Sequence, residues 1–437
     1  MPLIAWRGAV LTNRWTQLDP HPEQLRLVRS EARFKVVAAG RRSGKTERAK
    51  RHLVRCALAG ISGIARPTYA AAAPTRDQAK RIFWQDLKAL SPREWISSIS
   101  ESELTITYRT GSQLMVVGLD RPHRIEGVQL DGIVVDEIAE VKRESWEQSI
   151  RPALSTRGRP PGWAWFTGRP KGRGHFYELF SRAGTREGWE SFTWTSATVV
   201  DAAEIEQARA DLDPLTFAQE YEAKWVTFAG MAYYTFDAHT HLRPLKYDPN
   251  LPLVFCFDFN VDPGVAVILQ DQPQLDGATC VLGEVWIPRN SNTPAVCRKL
   301  CQDWGHHQGQ VHLYGDATGN QRKTSGVQGT DWELIRQHLR GTFADVRDRV
   351  QRSNPPERDR VNAMNTRLKN AAGRVSLYVD PRKAPHVVQD LEGVSLLEGG
   401  SGEIDKKKHP ELTHLTDALG YFVHAKHPIG GHVSAIL

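Results

Sequence analysis

Short apolar runs alternate with amphipathic segments along the first half of the chain. Four of these runs have the length and composition of buried strands: residues 34–39, 67–73, 132–135 and 163–167. Thr75 and Gln78 have the spacing of a capping box and predict the start of a helix. Residues 104–119 alternate around turn formers and predict a hairpin. Strands that alternate with helices indicate a largely parallel sheet covered on both faces.

The pattern is interrupted over residues 226–250, where aromatic residues, histidines and turn formers replace the apolar runs. Strand-like runs resume at residues 253–260, 279–288 and 311–319. We therefore predict two α/β domains of ordinary size, residues 1–230 and residues 251–437, with a linker at residues 231–250.

Residues 38–50 (AAGRRSGKTERAK) form a glycine-rich turn between a predicted strand and a predicted helix at residues 47–58. In a P-loop the backbone N–H groups wrap the phosphates, the lysine reaches the outer phosphates and the hydroxyl holds Mg²⁺. Lys45 and Thr46 have these two positions, and Ala39 stands where the usual pattern has its first glycine. We expect a site for ATP with Mg²⁺ whose turn is completed by Gly40, Arg41, Ser43 and Gly44.

Hydrolysis needs a carboxylate that holds the metal and a group that orients water. Asp136 and Glu137 end the apolar strand at residues 132–135, so Asp136 would support Mg²⁺ beside Thr46 and Glu137 would act as general base. Thr167 ends another strand, where a hydroxyl can sense the γ-phosphate. A strand-terminal threonine before a glycine turn explains Thr167 equally well.

Three further residues are weaker candidates for the nucleotide site. Gln24 precedes the first strand, and its amide can hydrogen-bond to adenine, although a solvated glutamine on a helix fits as well. Arg121 and Arg124 are candidates for an arginine finger supplied by a neighbouring subunit. Because surface arginines are common, the pattern does not choose between these two interpretations.

Four carboxylates in the second half lie at strand ends or at a helix start: Asp258, Glu284, Asp316 and Asp417. Asp258 ends an apolar strand, where an uncompensated carboxylate is costly. Taken singly, each of the four fits a helix cap or an ion pair. Taken together, they predict a site for two Mg²⁺ or Mn²⁺ ions about 3.5–4 Å apart, which would activate water against a phosphodiester.

The composition fits a globular chain of 437 residues, with 40% hydrophobic and 24% charged residues. No apolar run is long enough to span a membrane, and the N-terminus lacks a signal-peptide pattern, so we expect a cytoplasmic protein. The net charge of +7 favours a polyanionic partner, and the basic runs, Lys406–Lys408 among them, are spread widely. Such a spread favours contact with phosphates over reading of bases.

Five cysteines in so long a chain argue against a disulfide framework. Cys297, Cys301, His306 and His307 can be drawn as a zinc site. We favour packing of the two cysteines on one helix face, since residues at positions i and i+4 of a helix share that face.

The order of these motifs resembles that of the large terminase subunits of tailed bacteriophages. The resemblance runs from Gln24 and the P-loop through YAAAAPTRDQAKRIF, RIEGVQLDGIVVDE and FTGRPKG to HLTDALGYF near the C-terminus. It implies an N-terminal P-loop ATPase domain with a mainly parallel sheet, followed by a ribonuclease H-like α/β nuclease domain. The implied activity is ATP-driven translocation of double-stranded viral DNA into the procapsid, with endonuclease cuts of concatemeric DNA at the start and end of each round.

By motif, the resemblance implies a coupling role for Thr167, nuclease metals on Asp258, Asp316 and Asp417, and a further metal contact from Glu284. An inserted pair, Gly168-Arg169, leaves the position of the coupling residue open. The implied partners are the portal protein, a small terminase subunit and further copies of the chain in a ring, with a monomer in solution. The implied location is the cytoplasm of the infected host, with transient docking on the portal and no place in the mature virion.

Two other functions remain open from the sequence. A repair-type helicase-nuclease would also join a P-loop motor to a metal nuclease, but it needs a second motor lobe that the sequence does not show. Alternatively, the ATPase is joined to a non-catalytic C-terminal domain that binds DNA or docks a partner.

Overall fold

The computed structural model describes residues 19–155, 160–172, 174–259, 262–321, 329–398, 402–408 and 412–429. These residues divide into two compact units. The first holds the described residues up to Ile205 together with Ala218–Thr227, and the second holds Glu206–Phe217 and the described residues from Phe228 onward. The segment predicted as a linker lies in the second unit, because Ala232 and Tyr233 are buried in its core.

The first unit contains an eight-stranded sheet with the order β3-β4-β5-β2-β6-β7-β1-β8. The six strands from β5 to β8 in this order are parallel, and β3 and β4 add an antiparallel edge. Its strands are β1 (Phe34–Ala39), β2 (Thr68–Ala73), β3 (Ile96–Ser100), β4 (Thr105–Tyr108), β5 (Gln113–Gly118), β6 (Gly132–Val135), β7 (Trp163–Gly168) and β8 (Trp189–Trp194). Its longer helices are Pro22–Arg29, Lys45–Ala59, His175–Ala183 and the continuous run Arg76–Ala79, Lys80–Trp84 and Gln85–Leu90.

Apolar side chains on both sides of β1 explain why this sheet is covered twice. Val37 and Ala39 belong to one buried cluster, and Val36 and Ala38 belong to a second cluster on the opposite face. Both hydrogen bonds of the predicted capping box between Thr75 and Gln78 are present. Since β6, β7 and β1 are parallel neighbours, the residues at their carboxyl ends meet at one edge of the sheet.

The second unit contains a six-stranded mixed sheet with the order β13-β12-β9-β10-β11-β14. β10 runs antiparallel to β9 and β11, whereas β12 and β13 run parallel to β9. Its strands are β9 (Leu253–Asp258), β10 (Gly264–Gln272), β11 (Ala278–Ile287), β12 (Gln310–Gly315), β13 (Asp345–Asp348) and β14 (Leu377–Val379). Its longer helices are Thr293–Trp304, Asp331–Arg340, Glu357–Leu368, Pro385–Gly393 and His414–Lys426.

The predicted α/β fold class is confirmed, with a mainly parallel sheet in the first unit and a mixed sheet in the second. Five strands escaped the sequence pattern, namely β3, β8, β10, β13 and β14. Cys297 and Cys301 both lie on helix Thr293–Trp304; Cys297 is buried in the apolar core, and Cys301 packs against that core. Across the described ranges, no helix is both long enough and apolar enough to span a bilayer.

Candidate functional sites

The phosphate loop between β1 and helix Lys45–Ala59 depends on two glycines. Gly44 caps the helix with φ at 79°, in the left-handed region that favours glycine. A Cβ on Gly40 would lie 2.6 Å from the backbone nitrogen of Ser196 and 2.7 Å from the backbone oxygen of Tyr221. Ala39 is the last buried residue of β1. The position that admits no side chain is therefore residue 40, and Ala39 fits the strand.

Hydrogen bonds to the backbone stabilise this loop and involve three residues, Gln24, Arg41 and Ser43. Gln24 is only 1% exposed; its amide donates to the Ser43 oxygen (3.1 Å) and accepts from Arg48 (3.1 Å). Gln24 is therefore not a solvated glutamine, and its contact with adenine stays a prediction. Ser43 donates to the oxygen of Gly40 (2.6 Å), and the exposed Arg41 is tied through its backbone N–H to Glu220 (2.7 Å).

The ends of two strands and the start of helix Lys45–Ala59 converge at the carboxylate of Asp136. Thr46 donates to one of its oxygens (3.0 Å), and Thr167 donates to the other (2.6 Å). The Lys45 ammonium turns back over the loop, 3.5 Å from the Gly40 oxygen. Burial lowers the pKa of Lys45, and the nearby Asp136 and Glu137 oppose that shift. The hydrogen bond between Thr46 and Asp136 brings together the hydroxyl and the carboxylate that a Mg²⁺ site at a phosphate loop requires.

Glu137 lies beside this group in a left-handed conformation, with φ at 51°. Such a conformation is uncommon for a residue with a side chain. Burial raises the pKa of Glu137, and the Arg169 guanidinium opposes the shift. Arg169 lies 3.6 Å from Glu137 and 2.5 Å from Glu220. A buried glutamate beside a cation at the rim of the loop is placed as a general base would be.

The sequence interpretation missed Arg169 and Glu220. Arg169 follows β7 directly. Its position two residues after Thr167 could have shown from the sequence that it lies at the same edge of the sheet. No local sequence pattern pointed to Glu220. It lies in Ala218–Thr227, a segment of the first unit that follows the alternating strands and helices and is separated from them by residues of the second unit.

Arg124 is exposed in the short turn Pro122–Ile125. Within the described residues Arg124 forms no ion pair. A role for Arg124 or Arg121 in a neighbouring copy stays a prediction.

The three aspartates of the second unit are placed by adjacent elements. Phe257 of β9 pairs with Gly315 of β12, so the residues that follow, Asp258 and Asp316, leave neighbouring parallel strands at the same level. Asp417 lies in helix His414–Lys426, which packs on the same sheet through Leu415 and other apolar residues. Burial raises the pKa of Asp417, and the negative charge of Asp258 raises it further, while the Arg360 guanidinium opposes the shift.

Each of these carboxylates has polar partners. Asp316 accepts from the backbone of Thr318 and from the Asn354 amide, both at 2.7 Å. Asp258 lies 3.4 Å from the imidazole of His414. Asp417 pairs with Arg360 at 2.7 Å and with Lys406 at 3.5 Å.

Glu284 has its hydrogen-bond partners at a helix start and not among these aspartates, and its metal contact stays a prediction. Both of its oxygens accept from the backbone N–H of His386 at 3.1 Å, and one also accepts from Val387 at 2.9 Å, at the start of helix Pro385–Gly393. In register, Glu284 faces Val267 whereas Asp258 faces Val265. The two acidic residues are thus two strands and two positions apart, about 12 Å between Cα atoms.

The donor set of Asp258, Asp316 and Asp417 is all oxygen, which suits Mg²⁺ or Mn²⁺. Among the residues that the structure describes, no three histidine, cysteine or acidic side chains are close enough to form a metal cluster. The cations Arg360 and Lys406 neutralise Asp417 in this arrangement.

The comparisons with known proteins agree on one family. Residues 36–239 match the family model for the N-terminal part of the T4likevirus-type terminase large subunit. The large terminase subunits of Thermus phage G20c and Thermus virus P23-45 are 26% and 25% identical, over 90% of this chain and 92% of each relative. The large terminase of a thermophilic bacteriophage, solved in complex with ADP, is similar in fold, with a TM-score of 0.55 and 17% identity over 92% of this chain and 98% of that one.

Proposed function

We propose that this chain is a large terminase subunit of a phage, similar to its relatives, and that it hydrolyses ATP to drive double-stranded viral DNA into a procapsid. The observation that carries the proposal is the convergence of Thr46 and Thr167 on Asp136 beside a glycine-dependent phosphate loop. The large terminase of the thermophilic bacteriophage, which shares this fold, has been solved with ADP and with ATP-γ-S, which supports a nucleotide at this edge.

In the proposed mechanism the loop amides and Lys45 bind the phosphates, and Thr46 and Asp136 hold Mg²⁺. Bound Mg²⁺ would neutralise charge on the phosphate oxygens. Glu137 accepts the proton of the attacking water, and Arg169 keeps Glu137 ionised for that task. Thr167 shares Asp136 with Thr46, so it can respond when the hydrogen bonds of Asp136 change.

The same family implies the setting in which this activity operates. We propose that the chain acts as a ring on the portal protein, with a small terminase subunit that selects the DNA, in the cytoplasm of the infected host. A basic surface of scattered lysines and arginines supports contact with DNA phosphates.

For the second unit we propose a two-metal endonuclease that cuts the DNA at the start and end of each round. Asp258, Asp316 and Asp417 would hold two Mg²⁺ or Mn²⁺ ions, which activate water and stabilise the leaving oxygen. The level placement of Asp258 and Asp316 at adjacent strand ends supports this proposal. Glu284 is not part of the proposed set.

The ATPase proposal is tested by Glu137→Gln, which keeps the shape of the side chain and removes the base. We expect kcat for DNA-stimulated phosphate release to fall about 10²- to 10⁴-fold. Glu140→Gln is the matched control, because Glu140 is exposed at the same edge and pairs with Lys171. Hydrolysis by Glu137→Gln at the wild-type rate would contradict the assignment.

The nuclease proposal is tested by nicking of supercoiled plasmid by the full chain with Mg²⁺ or Mn²⁺. We expect metal-dependent nicking that Asp316→Ala abolishes and that Asp303→Asn, at an exposed pair with Lys299, leaves intact. Absence of cutting by the folded wild type would favour a DNA-binding or docking domain. Strand displacement by the same protein would instead favour a helicase-nuclease.

A further inference from the structure

We propose that Lys406 occupies the cation position at Asp417, so that a divalent ion must displace this lysine, while Arg360 remains as a fixed partner that orients the carboxylate. This inference rests on the proposed nuclease site. It assigns Arg360 and Lys406 distinct tasks toward the same acidic side chain.

Arg360 is built into the core beside Asp417. Its guanidinium lies 2.7 Å from Oδ1 of Asp417, and the two side chains are only 6% and 7% exposed. The same guanidinium lies over the ring of Tyr421 at 4.5 Å. Gly420 makes room for it, since a Cβ there would lie 2.8 Å from Cγ of Arg360. A buried pair of this kind is costly to break, because either charge alone would be uncompensated.

Lys406 differs from Arg360 in each of these respects. Its side chain is 54% exposed, and its ammonium lies 3.5 Å from the other oxygen of Asp417, Oδ2. It also pairs with Glu357 at 3.0 Å, so it has a second partner to which it can turn. An ammonium on a flexible stem is a point charge that exchanges partners readily, whereas a planar guanidinium is held by its fork and by stacking.

The two oxygens of Asp417 are therefore divided between a fixed cation and a replaceable one. Because Arg360 takes Oδ1, the oxygen left for a metal is Oδ2, which is where Lys406 lies. A DNA phosphate near the site would give Lys406 another anionic partner. Metal loading of the third carboxylate would then be easier when DNA is present than when it is absent.

The first experiment measures Mn²⁺ binding to the full chain by electron paramagnetic resonance, at low salt and without DNA. We expect Lys406→Met to bind Mn²⁺ about two- to fivefold more tightly than wild type, as removal of a largely exposed competing charge allows. Lys406→Arg, which keeps the charge, should resemble wild type. The neighbouring Lys407→Met and Lys408→Met are matched controls and should change nothing.

The second experiment tests whether Arg360 is a fixed partner of Asp417 while Lys406 is a replaceable one. Simple competition between charges would tighten Mn²⁺ binding in both single variants. Loss of a residue that orients a metal ligand weakens binding about 10- to 100-fold, and we expect Arg360→Gln to do so. Arg360→Lys, which keeps the positive charge, should recover part of the loss and serves as the second variant if the glutamine variant does not fold.

The outcomes distinguish this inference from the function on which it rests. If wild type binds Mn²⁺ and Lys406→Met binds it equally or more weakly, the displacement of Lys406 is wrong. If Arg360→Gln tightens binding as Lys406→Met does, the orienting role of Arg360 is wrong. If no variant binds Mn²⁺ while all are folded, both the inference and the proposed nuclease site are wrong.

Discussion

Two adjacent small residues in the phosphate loop have different constraints. Ala39 ends β1 with its methyl group in the core, whereas Gly40 lies against the backbone of Ser196 and Tyr221. The usual motif places its first glycine at residue 39, so the sequence alone indicated a defect in the loop. The structure explains why the exchange is tolerated, because the close approach falls one residue later.

We therefore expect Gly40→Ala to weaken ATP binding at least about tenfold. The methyl group would press on backbone atoms of Ser196 and Tyr221, which are joined by their own hydrogen bond of 2.7 Å and cannot move apart freely. Titration with a fluorescent ATP analogue measures the effect. Ala39→Gly is the control and should lower the free energy of unfolding by no more than about 1 kcal/mol with little effect on binding. Equal binding by both variants would contradict the assignment of the constraint to residue 40.

Arg169 controls the ionisation of Glu137 and therefore the pH range of hydrolysis. Burial raises the pKa of Glu137, and Arg169 lowers it. Removal of the cation in Arg169→Met should raise that pKa further, so the base is protonated at a higher pH. The acid limb of the kcat profile should shift to higher pH. Lys171→Met, which removes a cation paired with Glu140 instead, should leave the limb unchanged; a shift in the opposite direction would exclude this role for Arg169.

Side-chain partners were the least predictable part of the sites. Lys45, Thr46 and Asp136 follow from local motifs, and the structure brings them together. The partnership of Arg169 with Glu220 depends on a contact between residues 51 positions apart, which no local pattern contains. Glu284 shows the reverse case, because a carboxylate on a strand can cap a helix as readily as it can bind a metal.

At the scale of the element, burial explains most, but not all, of which strands the pattern revealed. β1, β2 and β6 are buried at every position, so their apolar runs are unbroken. β3 is largely exposed, and β8 has both buried and exposed positions. Neither strand therefore has an apolar run that stands out from the flanking residues. β10 is almost wholly buried and was still overlooked, although its apolar run is continuous. The pairing register of β9 and β12 places Asp258 and Asp316 at the same level, which the hydrophobic pattern of the sequence does not reveal.

Asp390 caps the helix that carries Asp417. It accepts hydrogen bonds from the backbone of Leu415 (3.0 Å) and Thr416 (3.1 Å). We expect Asp390→Ala to lower the free energy of unfolding by about 1–3 kcal/mol, because the buried N–H groups lose their acceptor. Urea unfolding measures this loss, and Asp390→Asn, which keeps an acceptor oxygen, should retain most of the stability. An alanine variant as stable as wild type would show that the cap contributes nothing.

The same residue should give the fold a pH dependence. Burial raises the pKa of Asp390 to about 6, above its value of about 3.9 in an unfolded chain. A carboxyl that binds its proton more tightly when folded contributes most stability at low pH, and that contribution declines as the pH rises from about 4 to about 6. Wild type should therefore lose stability relative to Asp390→Asn across this range. A constant difference between the two, measured by urea unfolding at several pH values, would contradict the shift.

At the scale of the whole molecule, the positive charge is spread rather than concentrated. The net charge of +7 comes from 57 basic residues against 50 acidic ones, and many arginines are already paired with carboxylates. Contact with DNA should therefore rest on phosphates and not on base edges.

Two predictions about DNA binding follow from this charge distribution. Affinity for a short duplex should fall at least about tenfold between roughly 50 and 200 mM salt, since each neutralised phosphate releases counterions. Two duplexes of unrelated sequence should bind within about threefold of each other. Fluorescence anisotropy with both duplexes measures these effects, and a strong preference for one of them would indicate a base-reading surface.

The path of the chain has a practical consequence for any attempt to divide it. Residues 206–217 belong to the second unit, yet they precede residues 218–227 of the first. A protease cut after residue 205 would deprive the first unit of Glu220 and Tyr221, which hold the phosphate loop. A cut after residue 227 would deprive the second unit of Asp213, which accepts a hydrogen bond from Tyr234. No single break yields two whole halves, so recombination between related genes can exchange one unit intact only through three crossovers, one at each boundary between the units.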